Sequence, residues 1–180
     1  MLVLRTLLKW GKLLTLIGVG SILVCFPTVG AAASTSANWA GVLIQVIDGD
    51  TVRVRPAGGG MSVSVRVVGI DAPEICQPGG AASRTALARR ALSQPVMVQG
   101  RAYDTYGRLV ARVMIGNDDL GEWMVEQGHA WSYRYRGNRG PYASQQDRAM
   151  AAGLGLFSHT HAAERIYPGV FRKQHGRCRY

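Results

Sequence analysis

Three times between Gly41 and Ile70 the chain alternates side-chain character at every second position, and turn-forming clusters separate the runs. Successive side chains of a strand point to opposite faces, so such a chain must press one face of each strand against a core. Val42, Ile44 and Val46 alternate with Leu43, Gln45 and Ile47. Asp48-Gly49-Asp50 then reads as a turn, because Asp-Gly tolerates positive φ. Thr51 to Arg55 resumes the pattern, with Val52 and Val54 on one face and Thr51, Arg53 and Arg55 on the other. Pro56 to Gly60 is a glycine-rich loop. Met61 to Ile70 places Val63, Val65 and Val67 on one face and Ser62, Ser64, Arg66 and Val68 on the other. Pro73 ends that strand, since it has no N–H to give a ladder.

The rest of the chain alternates helices and strands. Ala81 to Leu92 is alanine-rich and stops before Pro95, as a helix must. Val96 to Val98, extending toward Tyr103, is a fourth strand and Leu109 to Ile115 a fifth, with Asp104 to Gly107 as the turn between them. Asp119 to Gln127 is an amphipathic helix with Leu120, Trp123, Met124 and Gln127 on one face. Asp119 and Glu122 have capping-box spacing, and Gly128 suits the residue after the helix. Tyr142 to Ala152 is a third helix, opened by Pro141 and closed by Gly153. Ser158 to Tyr180 is polar and basic and reads as a loosely packed tail. Five strands with a helix after the third and two more at the end make an α+β chain compatible with an OB-type barrel. Strand count alone does not select that barrel over other α+β folds.

The N-terminus has the three-part layout of an export signal. Met1 to Lys12 carries Arg5, Lys9 and Lys12 without an acid, Leu13 to Val29 is uncharged and mostly apolar, and Ala31-Ala32-Ala33 offers small residues for cleavage before Ser34. The apolar run of 17 residues is short of the ~20 that span a bilayer, and Gly18, Gly20 and Pro27 interrupt it. Cleavage is therefore favoured over a membrane anchor. It implies a secreted or periplasmic protein, whereas an uncleaved segment implies a membrane-anchored one. The division expected is 1–33 signal, 34–41 lead-in, 42–158 folded domain and 159–180 basic tail.

The chain of 180 residues has 21 Lys+Arg against 11 Asp+Glu, a formal net charge of +10. Arg5, Lys9 and Lys12 account for three of these charges, leaving +7 after cleavage. That surplus, nearly all arginine, favours a polyanionic partner such as nucleic acid or an anionic membrane surface. Cys76 and Cys178 are the two cysteines that survive cleavage. In an oxidising compartment they are expected to pair, tying the tail to the loop after Glu74; two independent thiols are the alternative. Neither has the spacing of a zinc site. No glycine-rich phosphate loop, dinucleotide fingerprint or Ser-His-Asp order stands out.

The densest chemistry lies at Val65-Arg66-Val67-Val68-Gly69-Ile70-Asp71-Ala72-Pro73-Glu74, with Asp48-Gly49-Asp50-Thr51 upstream and Asp104-Thr105-Tyr106-Gly107-Arg108 downstream. Asp50 and Asp71 lie at strand ends; if neighbouring strands bring them together, they repel unless a cation sits between them. Hard oxygen ligands suit calcium, which also takes backbone carbonyls and waters, and a carbonyl at Ala72 could join them. An Asp-Gly pair is also an ordinary hairpin turn, the role left to Asp48. Glu74 could act as a general base through water or pair with one of the many arginines. Arg66, within a valine-rich strand, needs a partner or a cleft. Arg66 and Arg108 could grip a phosphate bidentately and neutralise charge in its transition state, or form structural salt bridges. Tyr103, Tyr106, Trp131, Tyr133 and Tyr135 interleave with Arg101, Arg108, Arg134 and Arg136 as stacking surfaces for bases, Trp131 and Trp123 being better suited to the core.

These motifs, together with Val46 and Ile47 ahead of the first, Leu120 to Trp131 and Gly155-Leu156-Phe157-Ser158, resemble the thermonuclease family, the staphylococcal nuclease-like domains. The similarity runs from about Val42 to Phe157. It implies an OB-fold five-stranded β-barrel with three α-helices, and a calcium-dependent nuclease acting on DNA and RNA that leaves 3′-phosphate ends. By position, Asp50 and Asp71 match the calcium carboxylates, and Ala72 stands where the family supplies a backbone carbonyl in place of its usual threonine. Glu74 matches the proposed general base, Arg66 and Arg108 the two phosphate-binding arginines, and Thr51 a supporting threonine near the metal. Tyr106 and Tyr133 resemble the tyrosines around the nucleotide, Tyr133 through a one-residue gap. The segment from Cys76 to Gly80 departs from the staphylococcal form. No dedicated protein partner is implied, and membrane contact is expected only through the N-terminal segment. The competing readings are a non-catalytic OB module that binds single strands and an envelope-associated accessory protein.

Overall fold

The computed structural model describes residues 38–158, 165–176 and 178. The expected export signal and its expected cleavage before Ser34 lie outside the described residues. The elements run β1 (Asn38–Val46), β2 (Thr51–Pro56), β3 (Val63–Val67), β4 (Ile70–Asp71), α1 (Gly80–Ala91), β5 (Pro95–Tyr103) and β6 (Leu109–Ile115). They continue with β7 (Asp118–Asp119), α2 (Leu120–Glu126), β8 (Trp131–Ser132), α3 (Ala143–Ala151), a 3₁₀ turn at Gly155–Phe157, and α4 (Pro168–His175).

Alternation dictates the architecture. Leu43, Val52, Val54, Val65, Val98, Ala111 and Val113 are completely buried, and full burial of each valine or leucine contributes about 1.5–3 kcal/mol. Their strands lie in the order β3-β2-β1-β5-β6, and β3 pairs again with β6, so five strands close on themselves. The β1–β2, β2–β3, β1–β5 and β5–β6 pairings are antiparallel. The closing pair is parallel, with Val65 opposite Leu109, Arg66 opposite Val110 and Val67 opposite Ala111. The fold is the α+β, OB-like barrel that the resemblance implies.

The helices cover the barrel. Leu87 and Ala91 of α1 are buried. Asp119 caps α2 by accepting from the Gly121 and Glu122 N–H groups at 2.9 and 3.4 Å, a contact whose loss typically costs about 1 kcal/mol. The reciprocal half of the capping box is not made. Glu122 instead accepts from Gln145 Nε2 at 2.6 Å and ties α2 to α3.

Three features differ from the sequence expectations. The first strand begins at Asn38, inside the expected lead-in, because Asn38 to Val42 pair with β5. The expected strand from Met61 to Ile70 is broken at Gly69, which has φ +81°; a Cβ there would lie 2.8 Å from Pro141 Cγ and Tyr142 Cε2. This turn re-aims Ile70 and Asp71 to pair with Ser132 and Trp131 in a separate two-stranded ladder. The third difference is the tail, which contains a packed helix and raises the described α-helices from three to four. Pro168 opens α4, where its missing N–H costs nothing. Phe171 is buried, and Tyr167 meets Trp131 edge-on at 5.7 Å. Gln77 Nε2 donates to the Ile166 carbonyl at 2.7 Å. Cys76 and Cys178 are joined by a disulfide, as expected, with a Cα–Cα distance of 5.7 Å.

Candidate active site

An open cleft of about 530 Å³ lies between the β1–β2 turn, the β3–β4 corner and the β5–β6 turn. Its first wall is Asp48-Gly49-Asp50. Asp48 Oδ1 accepts from the Asp50 N–H at 3.0 Å, keeping Asp48 in the turn. A Cβ at Gly49 would collide with Ser83 Oγ and lie 2.6 Å from Ala72 Cβ. Glycine thus lets the turn tuck beneath α1 and brings Asp50 against the β3–β4 corner.

Asp50, Thr51 and Asp71 are buried. Asp50 Oδ1 accepts from Thr51 Oγ1 at 3.1 Å. Its Oδ2 accepts from the Ala72 N–H at 2.9 Å and lies 3.0 Å from Arg66 Nη2. The same Arg66 nitrogen is 3.4 Å from Asp71 Oδ1, so a carboxylate from the β1–β2 turn and one from β4 converge on one point. Thr51 faces Arg66 across the β2–β3 ladder, and Arg66 faces Val110 across the parallel one. That second pairing brings β6, and the arginine just before it, to the cleft. Arg108 Nη1 donates to Thr51 Oγ1 at 3.1 Å, and its Nε lies 2.8 Å from Asp104 Oδ2. Asp104 Oδ1 accepts from the Tyr106 and Arg108 N–H groups at 2.9 and 3.0 Å. Arg108 is therefore aimed by Asp104, a role that sequence reasoning had not assigned to that carboxylate. Tyr106 and Tyr133 are exposed and line the cleft, and the Arg108 guanidinium carbon is 5.5 Å from the Tyr106 ring centroid. Tyr133 is held there by β8, its N–H donating to the Gly69 carbonyl at 2.9 Å.

The electrostatics follow from burial. Burial pushes the Asp50 carboxyl up to about 7; Arg66 opposes this, while Asp48 and Asp71 add to it. Asp104 shows the reverse balance: burial raises it, but hydrogen bonds from the Arg108 backbone and side chain and from Tyr106 hold it below its usual value.

The third wall is Arg172 of α4. Its Nη1 and Nη2 each lie 3.1 Å from an oxygen of Asp71, a bidentate grip, and Nη1 is also 3.1 Å from Glu74 Oε1. Burial disfavours its charge, yet the bonds and charge of Asp71 and then Glu74 raise its affinity for the proton. Glu74 thus meets a guanidinium, as one of its two sequence readings allowed, but one from a segment read as tail. Nothing in composition marked Arg172 among the many arginines. The usable signal was Tyr167 and Phe171, four residues apart on either side of the helix-opening Pro168.

Among the described residues no three acidic, histidine or cysteine side chains gather as a metal-holding group. The donor chemistry nonetheless fits a hard cation. Asp50 and Asp71 offer oxygens only, these converge within 3.4 Å of a single guanidinium nitrogen, and burial leaves Asp50 short of positive charge. The family model described as "Staphylococcal nuclease homologue" matches residues 64–159, just over half of the chain. The chain belongs to the staphylococcal nuclease family. An "uncharacterized endonuclease" of Haemophilus influenzae is 32% identical to this family member over 86% of the chain and 83% of its own length. "Protein ParB" of Escherichia coli is 34% identical over 72% of the chain and 80% of its own length. A "micrococcal nuclease" of Shigella flexneri is 33% identical over 71% and 79%. Arg66, Asp71, Ala72, Glu74, Tyr106, Arg108 and Tyr133 lie within the staphylococcal nuclease match; Asp50 and Thr51 precede it, and Arg172 and Cys178 follow it.

Proposed function

We propose that this chain is a secreted or periplasmic calcium-dependent nuclease that hydrolyses phosphodiester bonds of DNA and RNA and leaves 3′-phosphate ends. The observation that supports it most is the joining of Arg66 and Arg108 to one carboxylate cluster through Asp50 and the Thr51 hydroxyl. Membership of the nuclease family points the same way. Asp50, Asp71 and the Ala72 carbonyl would hold calcium, which when bound supplies Lewis-acid polarisation of the phosphoryl oxygens and orders a water.

This chain's residues carry the remaining roles. Arg108 presents a planar fork, and its contacts with Asp104 and Thr51 keep that fork rigid before substrate arrives. Arg66, the cross-strand partner of Thr51, adds a second guanidinium. Donors fixed in advance stabilise the extra charge of a pentavalent phosphorus without reorganising. Glu74 accepts the proton of the attacking water once its carboxylate is released from Arg172, because an oxygen engaged by a guanidinium is a weaker base. Tyr106 and Tyr133 offer aromatic faces at the rim for the bases beside the scissile phosphate.

The test is hydrolysis of labelled single-stranded DNA and RNA by the purified mature protein, with calcium and with excess chelator, and identification of the product termini. Cleavage that calcium restores, with phosphate on the 3′ end, is the expected result. Binding without cleavage in calcium would make the chain a non-catalytic strand-binding module. Full activity in chelator would remove the cation from the mechanism.

A further inference from the structure

Arg172 joins the cleft from outside the barrel. It sits on α4, beyond the segment matched by the family model. Two anchors hold it there: the packing of Phe171 and of Tyr167 against Trp131, and the Cys76–Cys178 bridge, which fastens the chain six residues after Arg172 to the loop two residues after Glu74. Its guanidinium takes both oxygens of Asp71 and one of Glu74, all at 3.1 Å. Asp71 is completely buried, so it has no water-facing oxygen to offer a second cation. Any ion that takes Asp71 as a ligand must first draw it away from Arg172.

We propose that Arg172 is a built-in cation of this site that competes with the metal ion for Asp71 and Glu74. The inference rests on the calcium reading above. Its physical basis is effective concentration: a group tethered close to its target competes as though present at millimolar concentration or above, without depletion by dilution. The metal then binds the fraction of molecules in which Arg172 is disengaged, and its apparent dissociation constant rises by the inverse of that fraction. The geometry supports an exchange over simple addition: Arg172 holds both oxygens of the buried Asp71, and Arg66 also approaches Oδ1, so the carboxylate is already engaged on both atoms. Release of Arg172 from Asp71 also frees the Glu74 carboxylate, so cation entry and arming of the base become one event. Arg172 is in this sense a positioning residue, acting through Asp71 and Glu74.

The experiment is calorimetric titration of the mature, disulfide-bonded protein with calcium, compared with Arg172→Gln and Arg172→Lys. Arg172→Gln is expected to bind calcium about 10-fold more tightly or better, corresponding to a disengaged fraction of about one tenth or less in the parent. Arg172→Lys, which keeps the charge but not the bidentate fork, should fall between the two. Cooperative thermal unfolding in chelator certifies that each variant is folded. Should Arg172→Gln fail to fold, the parent carries the test alone: the Arg172 Nε–H resonance, followed by NMR, should move and broaden as calcium is added. Equal or weaker calcium binding by folded Arg172→Gln, or an Arg172 resonance unmoved at calcium saturation, overturns the competition while leaving the calcium site intact. Absence of calcium binding in both parent and variant overturns it together with the calcium reading.

Discussion

Removing the Cys76–Cys178 bridge is expected to lower the melting temperature steeply while leaving the barrel folded. The bridge joins residues 102 apart in sequence. In the chain-entropy treatment, a closed loop of ~100 residues removes about 4.7 kcal/mol of disorder from the unfolded chain. The folded state loses little, because Phe171 stays buried and Tyr167 stays on Trp131 at 5.7 Å. Arg172 also keeps its three contacts with Asp71 and Glu74. With an unfolding entropy of about 2.1 cal/mol/K per residue, a domain of roughly 140 residues changes by about 0.3 kcal/mol per degree, so the shift is roughly 15 °C. The assay is differential scanning calorimetry of Cys76→Ser/Cys178→Ser beside the oxidised parent, both in chelator so that ion binding does not add to either. A shift below about 3 °C refutes the reasoning. It would mean that α4 leaves the barrel before the cooperative transition, so that the bridge constrains a segment already loose.

Three further outcomes follow from the site. Arg108→Lys cannot reach Asp104 Oδ2 and Thr51 Oγ1 together. Its turnover on a defined oligonucleotide should fall about 100-fold, with about 1 kcal/mol or less lost in stability; parental turnover in the folded variant takes Arg108 off the phosphate. The Asp50 carboxyl lies near 7 in the folded protein against an ordinary value of 3.8. The folded state therefore holds an extra proton between these values, and this group's contribution to metal-free stability declines as pH rises across that window. Asp50→Asn should accordingly gain stability over the parent in chelator at about pH 8 relative to about pH 5, read by urea titration; an advantage independent of pH contradicts the assignment. Gly49→Ala should cost about 1–3 kcal/mol by forcing Ser83 and Ala72 apart, and a urea midpoint equal to the parent's would show that the turn can yield.

Period-two valines made the barrel legible, because burial of one strand face is a local demand written into each strand. Leu109 to Ile115 appears as expected down to its ends. The site was legible to the extent that its residues lie at strand ends and turns: Asp50, Thr51, Arg66, Glu74 and Arg108 do meet in one cleft. What escaped was set by long-range contact. Gly69 breaks a strand that valine spacing alone would continue, and the reason lies in Pro141 and Tyr142, over seventy residues away. Asp104 looked like a turn residue, and only the fold shows its second oxygen on Arg108. α4 is polar and basic enough to read as tail, and its docking depends on Trp131 presenting a ring to Tyr167.

The parallel contact between β3 and β6 has a consequence for the life of the chain. Among the described strand pairs it is the one parallel ladder, and it joins Val65–Val67 to Leu109–Ala111. A parallel pair cannot be closed by a tight hairpin; here the intervening chain includes α1 and all of β5. Such non-local closure is slow compared with hairpin formation. Arg66 lies in this seam and Arg108 directly before it, so no fragment ending before β6 contains the assembled cluster. A partly synthesised chain lacks Arg108 on the Thr51 hydroxyl. The chemistry of the cleft begins when the last strand of the barrel docks, which makes the completed fold itself the on-switch.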